Sequence, residues 1–102
     1  MAGQSSRLSM WFTYVLRSIE HKILYTGSTN NLERRLSEHN DGTCKSTKPY
    51  RPYELISYIA VQTEKQAREL EQYFKTGSGR TILKMRILND EDLAKHEVMS
   101  EA

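Results

Sequence analysis

Two runs of β-forming residues, WFTYVLRS (11–18) and ILYTG (23–27), stand four residues apart, joined by IEHK. A parallel pair needs a crossover of a dozen or more residues, so this spacing leaves an antiparallel hairpin. If Ser18 pairs with Ile23, Tyr14 falls opposite Gly27 and Leu16 opposite Tyr25. Side chains alternate with period two, so Tyr14 and Tyr25 then project from the same sheet face. A third run, YELISYIAV (53–61), also reads as a strand.

The segments between and after these strands read as helices. Asn30 can cap a helix over LERRLSEHN (32–40), with Glu33 three positions on, and Asp41-Gly42 ends it. Thr63 caps a second helix, TEKQARELEQYFK (63–75), with Gln66 completing a capping box. Gly77 and Gly79 interrupt the chain before RTILKMRIL (80–88), a short amphipathic helix. Between the first helix and the third strand lies a basic loop, TCKSTKPYRP (43–52), closed by prolines that resist regular structure. The order ββαβαα predicts an α+β fold, a small and mostly antiparallel sheet covered by helices.

A chain of 102 residues is one domain with one modest core. It divides into a small, polar and flexible N-terminus (1–9), the domain itself (10–88) and an acidic C-terminal tail (89–102). No apolar run approaches the roughly 20 residues that span a bilayer, and the first ten residues lack an apolar signal region. Cys44 is the only cysteine, which excludes an internal disulfide and suits a reducing, cytoplasmic setting. The net charge of +2 is small, but its distribution is not even. Residues 42–53 carry Lys45, Lys48 and Arg51 without an acid; residues 75–88 carry Lys75, Arg80, Lys84 and Arg86 without an acid. The tail carries Asp90, Glu91, Asp92, Glu97 and Glu101 against Lys95. Without it the body is basic, a field that draws phosphates; solvated surface lysines are the simpler account.

The helical faces raise a sharper question. At ~100° per residue, Leu32, Arg35, Leu36 and His39 share one stripe. On the second helix Ala67, Leu70 and Phe74 form the apolar stripe, with Glu71 at its border. An unpaired charge is costly to bury. One reading pairs Arg35 with Glu71, or lets both reach water from the stripe's edge. The other is a polar pocket at the sheet surface that gathers Tyr14, Tyr25, Arg35, His39 and Glu71. That set suits phosphodiester chemistry: glutamate for a hard divalent ion, arginine for phosphate charge, and tyrosine or histidine for the proton of an attacking water.

Other features read plainly. CKST (44–47) lacks the upstream glycines of a phosphate-binding loop, and His21, His39, His96 and Cys44 lack zinc-ligand spacing. Trp11, Phe12 and Tyr58 read as core and Tyr73 as packing, whereas Tyr50 and Tyr53, flanking Arg51, are better placed to touch nucleic acid.

The triplets Thr13-Tyr14-Val15 and Tyr25-Thr26-Gly27, with the runs LYTGSTNNLERRLSEHN (24–40), STKPYRP (46–52) and KTGSGR (75–80), resemble the GIY-YIG nuclease superfamily. That superfamily includes the N-terminal domain of the excinuclease C subunit, and the likeness to its small single-domain members runs from Trp11 to Leu88. It implies a three-stranded antiparallel sheet with flanking helices and single-metal, water-mediated hydrolysis of DNA. It puts Tyr14 and Tyr25 at the motif tyrosines, Arg35 at the helix arginine, His39 where the family has histidine or tyrosine, and Glu71 at the metal-binding glutamate. Gly27 matches the motif glycine, which leaves space at the strand end. A free phenol has a pKa near 10, so a tyrosine base needs nearby positive charge. Tyr14 takes that role with Tyr25 supporting, and His39 is an equally reasonable acceptor. The chain departs from the pattern at Thr13, Val15 and Thr26, at Ser28, where some repair members carry lysine, and at GSGR (77–80), where the family's late asparagine has no counterpart.

The expected activity is therefore an endonuclease acting on DNA, in repair or recombination, with one Mg²⁺ or Mn²⁺ held by Glu71 and no small-molecule cofactor. Lys45, Lys48, Arg51, Lys75 and Arg80 are the expected phosphate contacts. A homodimer or partner protein would help one site act on both strands. The competing readings are a nucleic-acid-binding module that lost efficient hydrolysis, and a protein-interaction domain that uses the acidic tail.

Overall fold

The aromatic and β-branched runs form the strands that their spacing requires. In the computed structural model, which describes residues 9–88 and 97–98, β1 (Trp11–Ser18) and β2 (Ile23–Thr29) pair antiparallel, with Tyr14 opposite Gly27 and Leu16 opposite Tyr25. β3 (Tyr53–Val61) pairs antiparallel with the other edge of β1, with a bulge between Val15 and Leu16. β1 is thus the central strand of the antiparallel three. A fourth strand of two residues, β4 (Glu97–Val98), runs parallel to β2, giving the order β3-β1-β2-β4. This strand lies within the expected acidic tail, 89–102. Residues 1–8 of the expected flexible N-terminus (1–9), and the rest of the expected tail, lie outside the described residues.

Helix α1 (Leu32–Asp41) is capped by Asn31, whose side chain accepts from the Arg34 N–H at 3.0 Å. Asn30, the expected cap, accepts instead from the Arg34 guanidinium at 3.2 Å. Gly42 closes the helix in the left-handed conformation, φ 87°, where an L side chain is strained. Helix α2 (Glu64–Phe74) begins with the expected capping box of Thr63 and Gln66. The last helical segment differs from expectation. Helix α3 (Gly77–Ile82) starts at the glycines rather than after them, because Thr76 accepts from the Gly79 N–H at 3.1 Å. Beyond it Leu83–Ile87 widens into a π-type turn. The basic loop holds one short 3₁₀ turn, Lys48–Tyr50.

The period-two alternation of the strands divides the core between the two sheet faces. On one face Val15 and Leu24 pack with Phe74, Leu83 and Leu88 from α2 and the segment after it. Burying a side chain such as Leu24 fully contributes roughly 1.5–3 kcal/mol. Thr13 Oγ1 donates to the Ala67 carbonyl at 2.8 Å and ties β1 to α2. The other face carries Tyr14, Leu16, Tyr25 and Tyr53, covered by Leu32 and Leu36 of α1. This second cluster is built largely from phenols, and it positions the polar site.

Candidate active site

The hairpin register brings the two strand tyrosines together, and α1 delivers a histidine against both. The ring centroids of Tyr14 and Tyr25 lie 6.1 Å apart, and His39 stands 5.9 Å from the first and 4.8 Å from the second. All three residues are buried. Gly27 makes this packing feasible: a Cβ there would lie 2.5 Å from Tyr14 Oη and 2.9 Å from Tyr25 Cε2. The glycine is needed for close approach rather than for an unusual backbone angle.

His39 is hydrogen-bonded through both ring nitrogens. Nε2 lies 2.9 Å from Tyr14 Oη, and Nδ1 lies 2.7 Å from Thr47 Oγ1. Thr47 donates its own hydroxyl proton to the Cys44 carbonyl at 3.3 Å. A hydroxyl has one proton, so Thr47 must accept from Nδ1–H. Nε2 is then a bare acceptor, and the Tyr14 hydroxyl donates to it. Burial, reinforced by the charge of Arg35, pushes His39 down to about 4, against a smaller opposing effect of Glu38. The imidazole is therefore neutral at pH 7. Burial raises the Tyr14 phenol well above its ordinary value, with Tyr25 adding to the rise and Arg35 opposing it. Tyr25 is raised for the same leading reason.

Arg35 occupies the mouth of the cluster with its side chain 32 % exposed. Its Nη1 donates to Glu38 Oε1 at 2.9 Å, and Nη2 reaches Cys44 Sγ at 3.9 Å. Burial works against its charge, but the hydrogen bonds of Glu38 and Tyr14 prevail and raise its pKa. Glu71 is buried on α2; Oε1 accepts from Ser28 Oγ at 2.7 Å and Oε2 from Lys75 Nζ at 2.7 Å. Arg35 and Glu71 therefore do not pair with each other; each has a partner near it on its own helix. Their charges nonetheless act on both phenols, Arg35 lowering and Glu71 raising their pKa values, whereas His39 responds to Arg35 and Glu38.

Lys45, Lys48 and Arg51 are exposed along the basic loop at the side of α1 that carries Arg35 and His39. Arg80 is half-buried, and its Nε has no hydrogen-bond partner. Lys75 differs from the expected phosphate contact: its side chain is 10 % exposed and turned onto Glu71. Tyr53, read as a nucleic-acid contact, is core, with its hydroxyl donating to the Thr47 carbonyl at 2.9 Å. Tyr58, read as core, is 54 % exposed, with its ring edge-on to Phe12 at 5.6 Å. A depression lined by Glu64, Lys65, Arg68, Glu69 and Gln72 lies on the outer face of α2 and contains none of the five.

Among the described residues no three His, Cys, Asp or Glu side chains cluster to enclose a metal. Of the five, Glu71 is the residue with a carboxylate, and its oxygens retain lone pairs beyond those used by Ser28 and Lys75. Such a donor set fits a hard divalent ion that takes its remaining ligands from water and phosphate, as Mg²⁺ does. Sequence reasoning missed Thr47 and the inward turn of Lys75. Thr47 lies in a loop whose lysines and prolines dominate its character, and no periodicity marks it.

Residues 10–84 match the family described as the GIY-YIG catalytic domain. Over 65 residues the chain is 42 % identical to the UPF0213 protein YazA of Bacillus subtilis, a match covering 63 % of this chain and 65 % of that protein. It is 36 % identical over 69 residues to the UPF0213 protein YsiG of Lactococcus lactis, with 67 % and 65 % covered. To a UPF0213 protein of Listeria monocytogenes it is 37 % identical over 71 residues, with 69 % and 79 % covered. The chain thus spans a little under two thirds of the length of the first two relatives. No solved structure matches it.

Proposed function

The chain belongs to the GIY-YIG family, and from that premise we propose that it is an endonuclease hydrolysing DNA phosphodiester bonds with one divalent ion, Mg²⁺ or Mn²⁺, at Glu71. The observation that carries the reading is the 2.9 Å contact of Tyr14 Oη with a neutral, accepting His39 Nε2. A phenol that already donates to a bare imidazole can take a proton from water as it passes its own inward. Attack by that water forms the new P–O bond and breaks the bond to the sugar oxygen, which takes a proton from solvent. Arg35 at the mouth steadies the charge that develops on phosphate. The arriving phosphate also offsets the Arg35 charge that depresses His39, which raises the basicity of Nε2 when it is needed. A divalent ion bound at Glu71 would supply Lewis-acid stabilisation of the same charge.

Lys45, Lys48 and Arg51 would track the phosphate backbone, a mode that gives affinity with little sequence preference. Repair or recombination is the process class that such an activity would serve. A second reading is a nucleic-acid-binding module without efficient cleavage, and one observation favours it: both Glu71 oxygens are engaged by Ser28 and Lys75.

The test incubates the purified chain with plasmid, single-stranded and branched DNA, with Mg²⁺ or Mn²⁺ and with a chelator, beside Tyr14→Phe and Glu71→Gln. Metal-dependent nicking lost in both variants is the expected result. DNA binding without cleavage supports the second reading, and nicking retained in both variants rules out this site.

A further inference from the structure

An ammonium is strongly hydrated, and lysine is almost never fully buried unless paired. Lys75, at the C-terminal cap of α2, is withdrawn from water as far as its partner: the Lys75 and Glu71 side chains retain 10 % and 11 % exposure. Nζ lies 2.7 Å from Oε2, one helical turn along from the carboxylate. The other oxygen, Oε1, is bound by the neutral hydroxyl of Ser28 at 2.7 Å. The compensating positive charge in direct contact with Glu71 thus comes from Lys75. A buried charge stripped of its partner is strongly unfavourable, so the pair is the resting state of this carboxylate.

We infer that Lys75 is a built-in counter-cation of Glu71, which a divalent ion must displace from Oε2 before the carboxylate can hold it. The inference rests on the reading of Glu71 as a cation ligand. An ammonium at hydrogen-bond distance crowds Oε2 and repels a second cation at short range. The four-carbon stem of lysine allows it to swing aside. Once displaced, the ammonium needs an anion, and a bound phosphodiester is the anion that a nuclease substrate provides. Ion and phosphate then favour each other's binding: each removes a penalty that the other would otherwise meet, and the coupling is reciprocal. Lys75 is in these terms a positioning residue, acting on the ion through Glu71.

The test titrates the full chain with Mn²⁺, reading free Mn²⁺ by electron paramagnetic resonance, for the natural protein, Lys75→Gln, Lys75→Met, Lys75→Arg and Glu71→Gln. Circular dichroism verifies that each variant is folded. Both neutral Lys75 variants are expected to bind Mn²⁺ at least tenfold more tightly than the natural protein, with Lys75→Arg unchanged and Glu71→Gln without binding at the site. Adding a short DNA duplex should tighten Mn²⁺ binding in the natural protein and do so less in Lys75→Gln. Unchanged or weaker affinity in the folded neutral variants, with binding still lost in Glu71→Gln, overturns the role of Lys75 and leaves Glu71 as the ligand. Binding absent in every form, or indifferent to Glu71→Gln, overturns the metal reading and this inference together.

Discussion

Tyr14 Oη donates to Nε2 of His39 at 2.9 Å, from a position that two different elements, β1 and α1, must hold in register. Tyr14→Phe removes that donor while keeping the ring that fills the space above Gly27. Loss of a general acid–base group costs typically about 10²–10⁴-fold in rate, so cleavage should fall by that range. Nε2 is left without a donor, and an unsatisfied buried group costs about 1–3 kcal/mol. A gel-based nicking assay beside a urea unfolding curve separates the two effects. A folded variant that cleaves at the natural rate would exclude Tyr14 from the proton path.

Thr47 is expected to act through the imidazole it orients. Thr47→Val keeps shape and removes the oxygen that accepts from Nδ1–H at 2.7 Å. The neutral ring is then free to place its proton on Nε2, where it opposes donation from Tyr14. Activity should drop, by less than in Tyr14→Phe, and Thr47→Ser should restore it. Imidazole nitrogen chemical shifts report the tautomer directly. A valine variant with unaltered shifts would show that something else fixes the ring.

Much of this geometry was legible beforehand, and the exceptions share a cause. The strand bounds of β1 and β3, the Tyr14–Gly27 register and the Thr63–Gln66 box follow from period, loop length and local chemistry, which act between near neighbours. Asn30 and Asn31 are chemically equivalent caps, and the choice depends on where α1 docks on the sheet. A cation in sequence defaults to solvent, so Lys75 reads as a phosphate contact; only the fold reveals that it is buried with the Glu71 carboxylate. Thr47 meets a ring eight residues away on another element, a contact that no pattern encodes. β4 is two residues long, too short to show alternation within an acidic segment.

Acid should weaken the fold through His39. Its folded pKa, depressed to about 4 by burial and the Arg35 charge, lies below the unfolded value of about 6.5. Between those values the unfolded chain binds more protons than the folded one, so stability rises with pH across the window. The contribution is fully present above about pH 6.5 and is lost as pH falls toward 4; a shift of this size corresponds to about 3 kcal/mol. Urea midpoints of the natural protein and His39→Gln measured from pH 4 to 7 check this. The variant should be flatter over that range, and parallel curves would refute the assignment.

Gly27→Ala is expected to damage the site by overpacking. The new Cβ would sit 2.5 Å from Tyr14 Oη and 2.6 Å from Cζ, between two buried rings that have little room to yield. Insertions of this kind cost typically about 1–3 kcal/mol. Because the phenol must move to relieve the contact, cleavage should fall further than stability alone explains. Denaturation midpoint and nicking rate, measured under conditions where the variant is folded, distinguish the two effects. Retention of full activity would mean that the pocket tolerates a displaced Tyr14.

Removal of Glu71 should destabilise according to what replaces it. Glu71→Ala leaves the Lys75 ammonium buried at 10 % exposure with its carboxylate gone, and takes an acceptor from Ser28. Breaking a buried pair from one side costs about 3–5 kcal/mol, a large part of a small domain's stability. Glu71→Gln retains a carbonyl oxygen for one of the two donors, and should lose less. Removing both charges in Glu71→Gln with Lys75→Met should recover part of the loss, since no charge is then left unpaired. A double-mutant cycle in urea measures this coupling. Strictly additive single losses would mean that the ion pair contributes nothing to the fold, leaving its effect on the carboxylate as the only consequence of Lys75.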